Sequence, residues 1–96
     1  GETGTALSLL EQAESIADAT GNRYLRLACR LAVGEVLLAR GQFAAAEATL
    51  RQVIAAVEDR QRLGSWTRLG EARSLLVEVL NRQGRIDEAR MIAGSE

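Results

Sequence analysis

Two carboxylates recur at matching places in the chain. Glu35 sits in Arg30-Leu31-Ala32-Val33-Gly34-Glu35-Val36-Leu37, and Glu78 sits in Arg73-Ser74-Leu75-Leu76-Val77-Glu78-Val79-Leu80. The chemistry open to them is binding, because nothing nearby equips them for catalysis. The chain has no histidine, which removes the commonest general base and the commonest metal ligand together. It has no lysine and no Gly-x-x-x-x-Gly-Lys stretch, so a phosphate-cradling loop is unsupported. Cys29 is the one cysteine, which excludes an internal disulfide. Set among Leu27, Ala28 and Leu31, it reads as a small apolar side chain in a reducing compartment, not as a nucleophile. No nucleophile–base pair, metal set or cofactor motif points to an enzyme.

The remaining charge is evenly spread. Twelve basic residues face thirteen acidic ones, for a formal net charge of -1, so bulk electrostatics recruits no nucleic acid. With 47% apolar and 26% charged residues the chain is too apolar for a disordered tail. No apolar run approaches the roughly 18 residues of a membrane span, and no leader pattern opens the chain. A cytoplasmic protein without a membrane association is the expectation. At 96 residues, one domain over 1–96 is expected, as a piece of a larger protein. The bare cluster Glu58-Asp59-Arg60-Gln61-Arg62 reads as a solvated helix terminus.

Apolar spacing of three and four residues predicts five helices and no strand. The first runs from about Thr5 through Ala6, Leu9, Leu10, Ala13, Ile16 and Ala17, after a ragged start at Gly1 to Thr5. Gly21 closes it in a left-handed conformation, and Asn22 caps the second helix, which extends to Arg40. That helix carries Tyr24, Leu27, Ala28, Leu31, Val33, Leu37 and Leu38, an apolar surface broad enough for neighbours on two sides. Gly41 ends it. The third helix, about 42–61, opens on Ala44, Ala45, Ala46 and Ala48, which permit close approach, and continues with Leu50, Val53, Ile54 and Val57. Ser65 caps the fourth, which reaches Arg82 with Trp66, Leu69, Ala72, Leu76, Val79 and Leu80 inward. Gly84 ends it, and a shorter fifth helix holds Ile86, Ala89, Ile92 and Ala93. Trp66 and Tyr24 read as packing anchors. Arg30 and Arg73 read as stems laid over the preceding hairpin.

The helices repeat. With Gly1, Gly41 and Gly84 in register, Ala6, Ala46 and Ala89 fall five residues later, and Leu10, Leu50 and Ala93 nine later. Together with the two Arg-x-x stretches, this is the self-similarity of a solenoid. The pattern resembles the tetratricopeptide repeat. Val33-Gly34 stand at that family's Leu-Gly pair, Leu37 and Leu80 at its aromatic position, and Ala46 and Ala89 at its small one. Arg30 and Arg73 replace the family tryptophan, and the terminal proline is missing. The turns are spaced about 40 and 43 residues apart, where the standard repeat takes about 34. Long, alanine-rich, proline-free repeats of this texture resemble those of MalT-like regulators of the LuxR family.

The resemblance implies an all-α, right-handed α-solenoid of antiparallel helix pairs, with about two and a half repeats present. It implies a non-catalytic interaction module that takes a protein, a peptide or a small effector ligand. In a MalT-like parent it would be the sensing region of a bacterial transcriptional regulator. The alternative is a structural spacer or oligomerisation element with no groove ligand. In the family the position of Glu35 and Glu78 faces the concave groove, whose floor would then comprise Leu31, Glu35, Leu38, Ser74, Glu78, Asn81 and Arg82. The ends lack recognisable cap helices. Some of Leu9, Leu10 and Ile16 at one end, and of Val77, Leu80 and Ile92 at the other, are therefore expected to lack their natural neighbour, leaving bare apolar surface that drives a two-fold homodimer.

Overall fold

The computed structural model describes residues 2–59 and 69–94. Five helices follow one another: α1 (Glu2–Ala19), α2 (Arg23–Ala39), α3 (Phe43–Asp59), α4 (Leu69–Arg82) and α5 (Ile86–Gly94). No strand occurs among the described residues. Each helix packs on the next in sequence. Two and a half helical repeats are thus stacked as an α-solenoid about 39 × 37 × 16 Å in extent.

One turn, used three times, sets the hairpin geometry. Gly21, Gly41 and Gly84 have φ of 72°, 75° and 77°. These left-handed values carry a steric cost for any residue with a Cβ. At each turn the residue after the glycine donates its N–H to a carbonyl five residues back: Asn22 to Ala17, Gln42 to Leu37 and Arg85 to Leu80, all at 2.9 Å. The glycine N–H donates three residues back, to Asp18, Leu38 and Asn81. These paired bonds satisfy carbonyls that a helix end would otherwise strand. At the first turn Asn22 then starts α2, its Oδ1 accepting from the Leu25 N–H at 3.1 Å.

The core runs along the stack. Leu31, Leu50, Val53, Val57, Leu76, Val79 and Leu80 are its largest fully buried side chains, with Ala46, Ala72 and Ala89 buried between them. The small residues hold helices close. At Gly34 the approach is closest: a Cβ built there would meet Leu50 Cδ2 at 2.9 Å.

Several expectations change. α1 begins at Glu2, not near Thr5. Gly4 therefore lies inside a helix, where one glycine costs only about 1 kcal/mol and packing on α2 outweighs it. Tyr24 is no packing anchor: it is 53% exposed. Gly1 as a turn residue, the charge cluster's Arg60, Gln61 and Arg62, the Ser65 cap and the Trp66 anchor fall outside the described residues.

Candidate functional site

α2 and α4 pack against each other, whereas α1 and α3, and likewise α3 and α5, make no comparable approach among the described residues. Helices on the inner side of a curved stack converge and those on the outer side splay. α2 and α4 therefore line the inner face.

The equivalent positions on those two helices differ in chemistry. Leu31, Glu35 and Leu38 follow the i, i+4, i+7 spacing of one helix face. Leu31 is 2% exposed and Leu38 8% exposed, and both belong to the core. They cannot floor a groove as expected, since stacking of the second repeat takes them out of water. Glu35, between them, is exposed. Ser74, Glu78 and Asn81 occupy the same three positions on α4, and all are exposed. Arg82 is exposed as well and pairs with Glu78 at 3.4 Å. The two helices thus expose one carboxylate on α2, and on α4 a hydroxyl, an amide and an ion pair, while the leucines flanking Glu35 are closed off.

A second charged arrangement escaped the sequence reading because it joins helices 38 residues apart. The Arg85 guanidinium, at the start of α5, donates to Glu47 on α3 and to Glu88. Arg51 donates to Glu47 at 2.9 Å and lies 3.5 Å from Glu88. Two arginines and two glutamates thereby clasp α3 to α5. Burial by itself pushes the Glu47 carboxyl up, but the hydrogen bonds from Arg85 and Arg51 outweigh it and hold the group below the usual carboxylate range. Hydrogen bonds to Glu88 and Glu47 raise the Arg85 pKa further above its ordinary value.

A third lies between α1, α2 and α3. Arg30 bridges its neighbours on both sides, 3.6 Å from Glu14 on α1 and donating to Gln52 on α3 at 2.8 Å. Arg26 lies 3.4 Å from Asp18 on α1. The full cluster had a sequence signal that went unread: Arg23, Arg26 and Arg30, three and four residues apart, form one helix face.

Among the described residues no group of three or more histidine, cysteine, aspartate or glutamate side chains is placed to hold a metal ion. Cys29 is buried. No described helix is long and apolar enough to cross a membrane.

The tetratricopeptide repeat model matches the chain twice, over residues 27–52 and 70–93. Each match spans a hairpin, α2 into α3 and α4 into α5, and together they cover a little over half of the chain. The chain belongs to the tetratricopeptide repeat family. Such repeats are a non-catalytic fold that mediates protein–protein interaction. No curated protein and no solved structure matches the chain.

Proposed function

We propose that this domain binds a segment of a partner protein across its inner face, as one module of a larger cytoplasmic regulator of the MalT-like LuxR type. One observation carries the binding reading: α2 and α4 lie side by side, with Glu35, Ser74, Glu78, Asn81 and Arg82 exposed along them. Glu35 and Glu78 sit at the same repeat position, and a peptide laid across the two helices meets one carboxylate per repeat. The contact is polar and needs no enclosed pocket, which suits an extended peptide better than a small effector. The regulator assignment rests on the texture of the long, alanine-rich repeats.

A thermal-shift screen of short peptides tests the binding reading. Binding to the folded state raises Tm by mass action. Hits should lose their shift in the Glu35→Ala, Glu78→Ala double variant, whose exposed positions leave the fold intact. A shift that survives in the double variant would remove the inner face from consideration.

A second reading, an assembly element, is favoured by α1. Leu9 and Ile16 are seven residues apart on one helix face and are 59% and 63% exposed. A homodimer covering that face is expected to dissociate in the Leu9→Glu, Ile16→Glu variant. Sedimentation equilibrium reads this directly, and a wild-type chain that stays monomeric at high micromolar concentration would exclude it.

A further inference from the structure

We propose that the notch between α2 and α3 is a second docking site, which takes a glutamate side chain from an acidic, partly apolar segment of a partner protein. The notch holds about 220 Å³ and is lined by Arg23, Arg26, Leu27 and Arg30 of α2 and by Gln52, Val53 and Ala56 of α3. Three guanidiniums line it, and among the described residues no carboxylate does.

The counter-charges lie elsewhere. A neighbouring depression shares Arg26 and Arg30 but is walled by Glu11, Glu14 and Asp18 of α1. The ion pairs made there, Arg26–Asp18 at 3.4 Å and Arg30–Glu14 at 3.6 Å, are long and partly solvated. The Arg26 pair is exposed and contributes little, so its guanidinium can turn to a new carboxylate at small cost. Arg23 makes no ion pair with another described residue. An entering carboxylate therefore meets Arg23, which pairs with no other described residue, Arg26, held by one exposed ion pair, and Arg30, held by Glu14 and by its 2.8 Å bond to Gln52, each able to offer the bidentate contact that arginine favours.

The floor and far wall fix the rest of the ligand. Leu27 and Val53 are buried core residues at the base, and Ala56 adds a methyl group. The methylenes of a glutamate, or an adjoining apolar side chain, can rest on them. An open notch of this size is too small to enclose a drug-sized molecule, which calls for about 300 Å³ or more. A chain of net charge -1 with three local arginines is also a poor match for a polyanionic nucleic acid. A protein segment with alternating acidic and apolar residues meets both limits. The site is separate from the inner face: Arg30 and Glu35 are five residues apart, about 140° around α2 at 3.6 residues per turn.

The test uses the ¹⁵N-labelled chain and two acetylated peptides, one of alternating glutamate and leucine, the other with glutamine for glutamate. The glutamate peptide should shift the backbone amides of residues 23–30 and 52–56, and the effect should weaken as salt rises. The glutamine peptide should leave them in place. Arg23→Glu should weaken binding about tenfold or more, since it sets like charge against the ligand. Arg23→Gln, which leaves the Asn22 cap and the helix register untouched, should weaken it less. Equal shifts with the two peptides, unchanged affinity in Arg23→Glu, or no binding at all would overturn the proposal. Shifts confined to Glu35, Ser74 and Glu78 would also overturn it, while leaving the inner-face reading standing.

Discussion

α2 and α4 are the same helix used twice, and their differences show what a neighbour does to a sequence. Position by position, Leu31 answers to Ser74, Glu35 to Glu78 and Leu38 to Asn81. The two leucines are buried beneath the second repeat, while Ser74 and Asn81 stand in water. Where another inner helix stacks, this face must be apolar at its outer positions. Where the described structure places none, serine and asparagine keep the face solvated. The central glutamate is exposed in both, so the repeat reserves that position for the surface. The pairing across each hairpin differs in the same complementary way. Gly34 receives Leu50 in the first hairpin, and their counterparts in the second are Val77 and Ala93. In sequence the small and large residues exchange places between the repeats, though Ala93, unlike Leu50, is exposed.

The largest effect should come from truncating the covered face. Leu31→Ala removes a fully buried side chain and should cost about 2–5 kcal/mol in urea unfolding. Ser74→Ala, the same position on α4, should change stability by no more than about 0.5 kcal/mol. Similar losses in the two variants would erase the distinction between the helices.

Next is the exchanged packing. Gly34→Val copies the second repeat into the first without its compensating alanine. A Cβ already meets Leu50 at 2.9 Å, so overpacking should cost about 1–3 kcal/mol. Adding Leu50→Ala should recover part of that loss, giving a coupling energy of about 0.5–3 kcal/mol in a double-mutant cycle. Strict additivity would mean that the two positions pack independently.

A smaller loss, about 1 kcal/mol, is expected for Gly41→Ala and equally for Gly84→Ala, since both turns require the left-handed conformation. An unchanged denaturation midpoint in one of them would distinguish turns that the structure makes alike.

The smallest effect concerns the α3–α5 clasp, which among the described residues has no copy between α1 and α3. Glu47 has its pKa depressed in the folded state. Its contribution is therefore present above the unfolded carboxylate value, about 4.3, and is lost as pH falls through the lower folded value. Glu47→Gln should flatten the acid limb of the stability–pH curve and reduce the salt sensitivity of Tm. Identical curves for variant and wild type would show that the clasp contributes nothing to stability.

Much of the fold was legible before any coordinates. Helical spacing located the five helices, and Gly21, Gly41 and Gly84 marked the turns because only glycine enters that conformation freely. Of the alanines whose size permits close approach, Ala46 and Ala89 are buried, whereas Ala44, Ala45 and Ala48 are exposed. The binding face was legible only in part. Glu35 and Glu78 stand out through their repetition, but periodicity gives the direction of a side chain relative to its own helix and not what another helix lays over it. For that reason Leu31 and Leu38 looked like groove floor and proved to be core, while Tyr24 looked like an anchor and is exposed.

The sequence by itself therefore determined the local and the repeated: helix content, turn chemistry, the register of one hairpin on the next, and the absence of histidine and lysine. Backbone conformation and hydrophobic spacing act within a few residues, so they can be read along the chain. The tertiary structure decided which apolar faces are covered, that Arg85 reaches Glu47 on another helix, and that Arg23, Arg26 and Arg30 line a notch whose counter-charges lie on α1. Those outcomes depend on how far neighbouring helices converge on the inner side and splay on the outer. Only packing the whole stack fixes that angle.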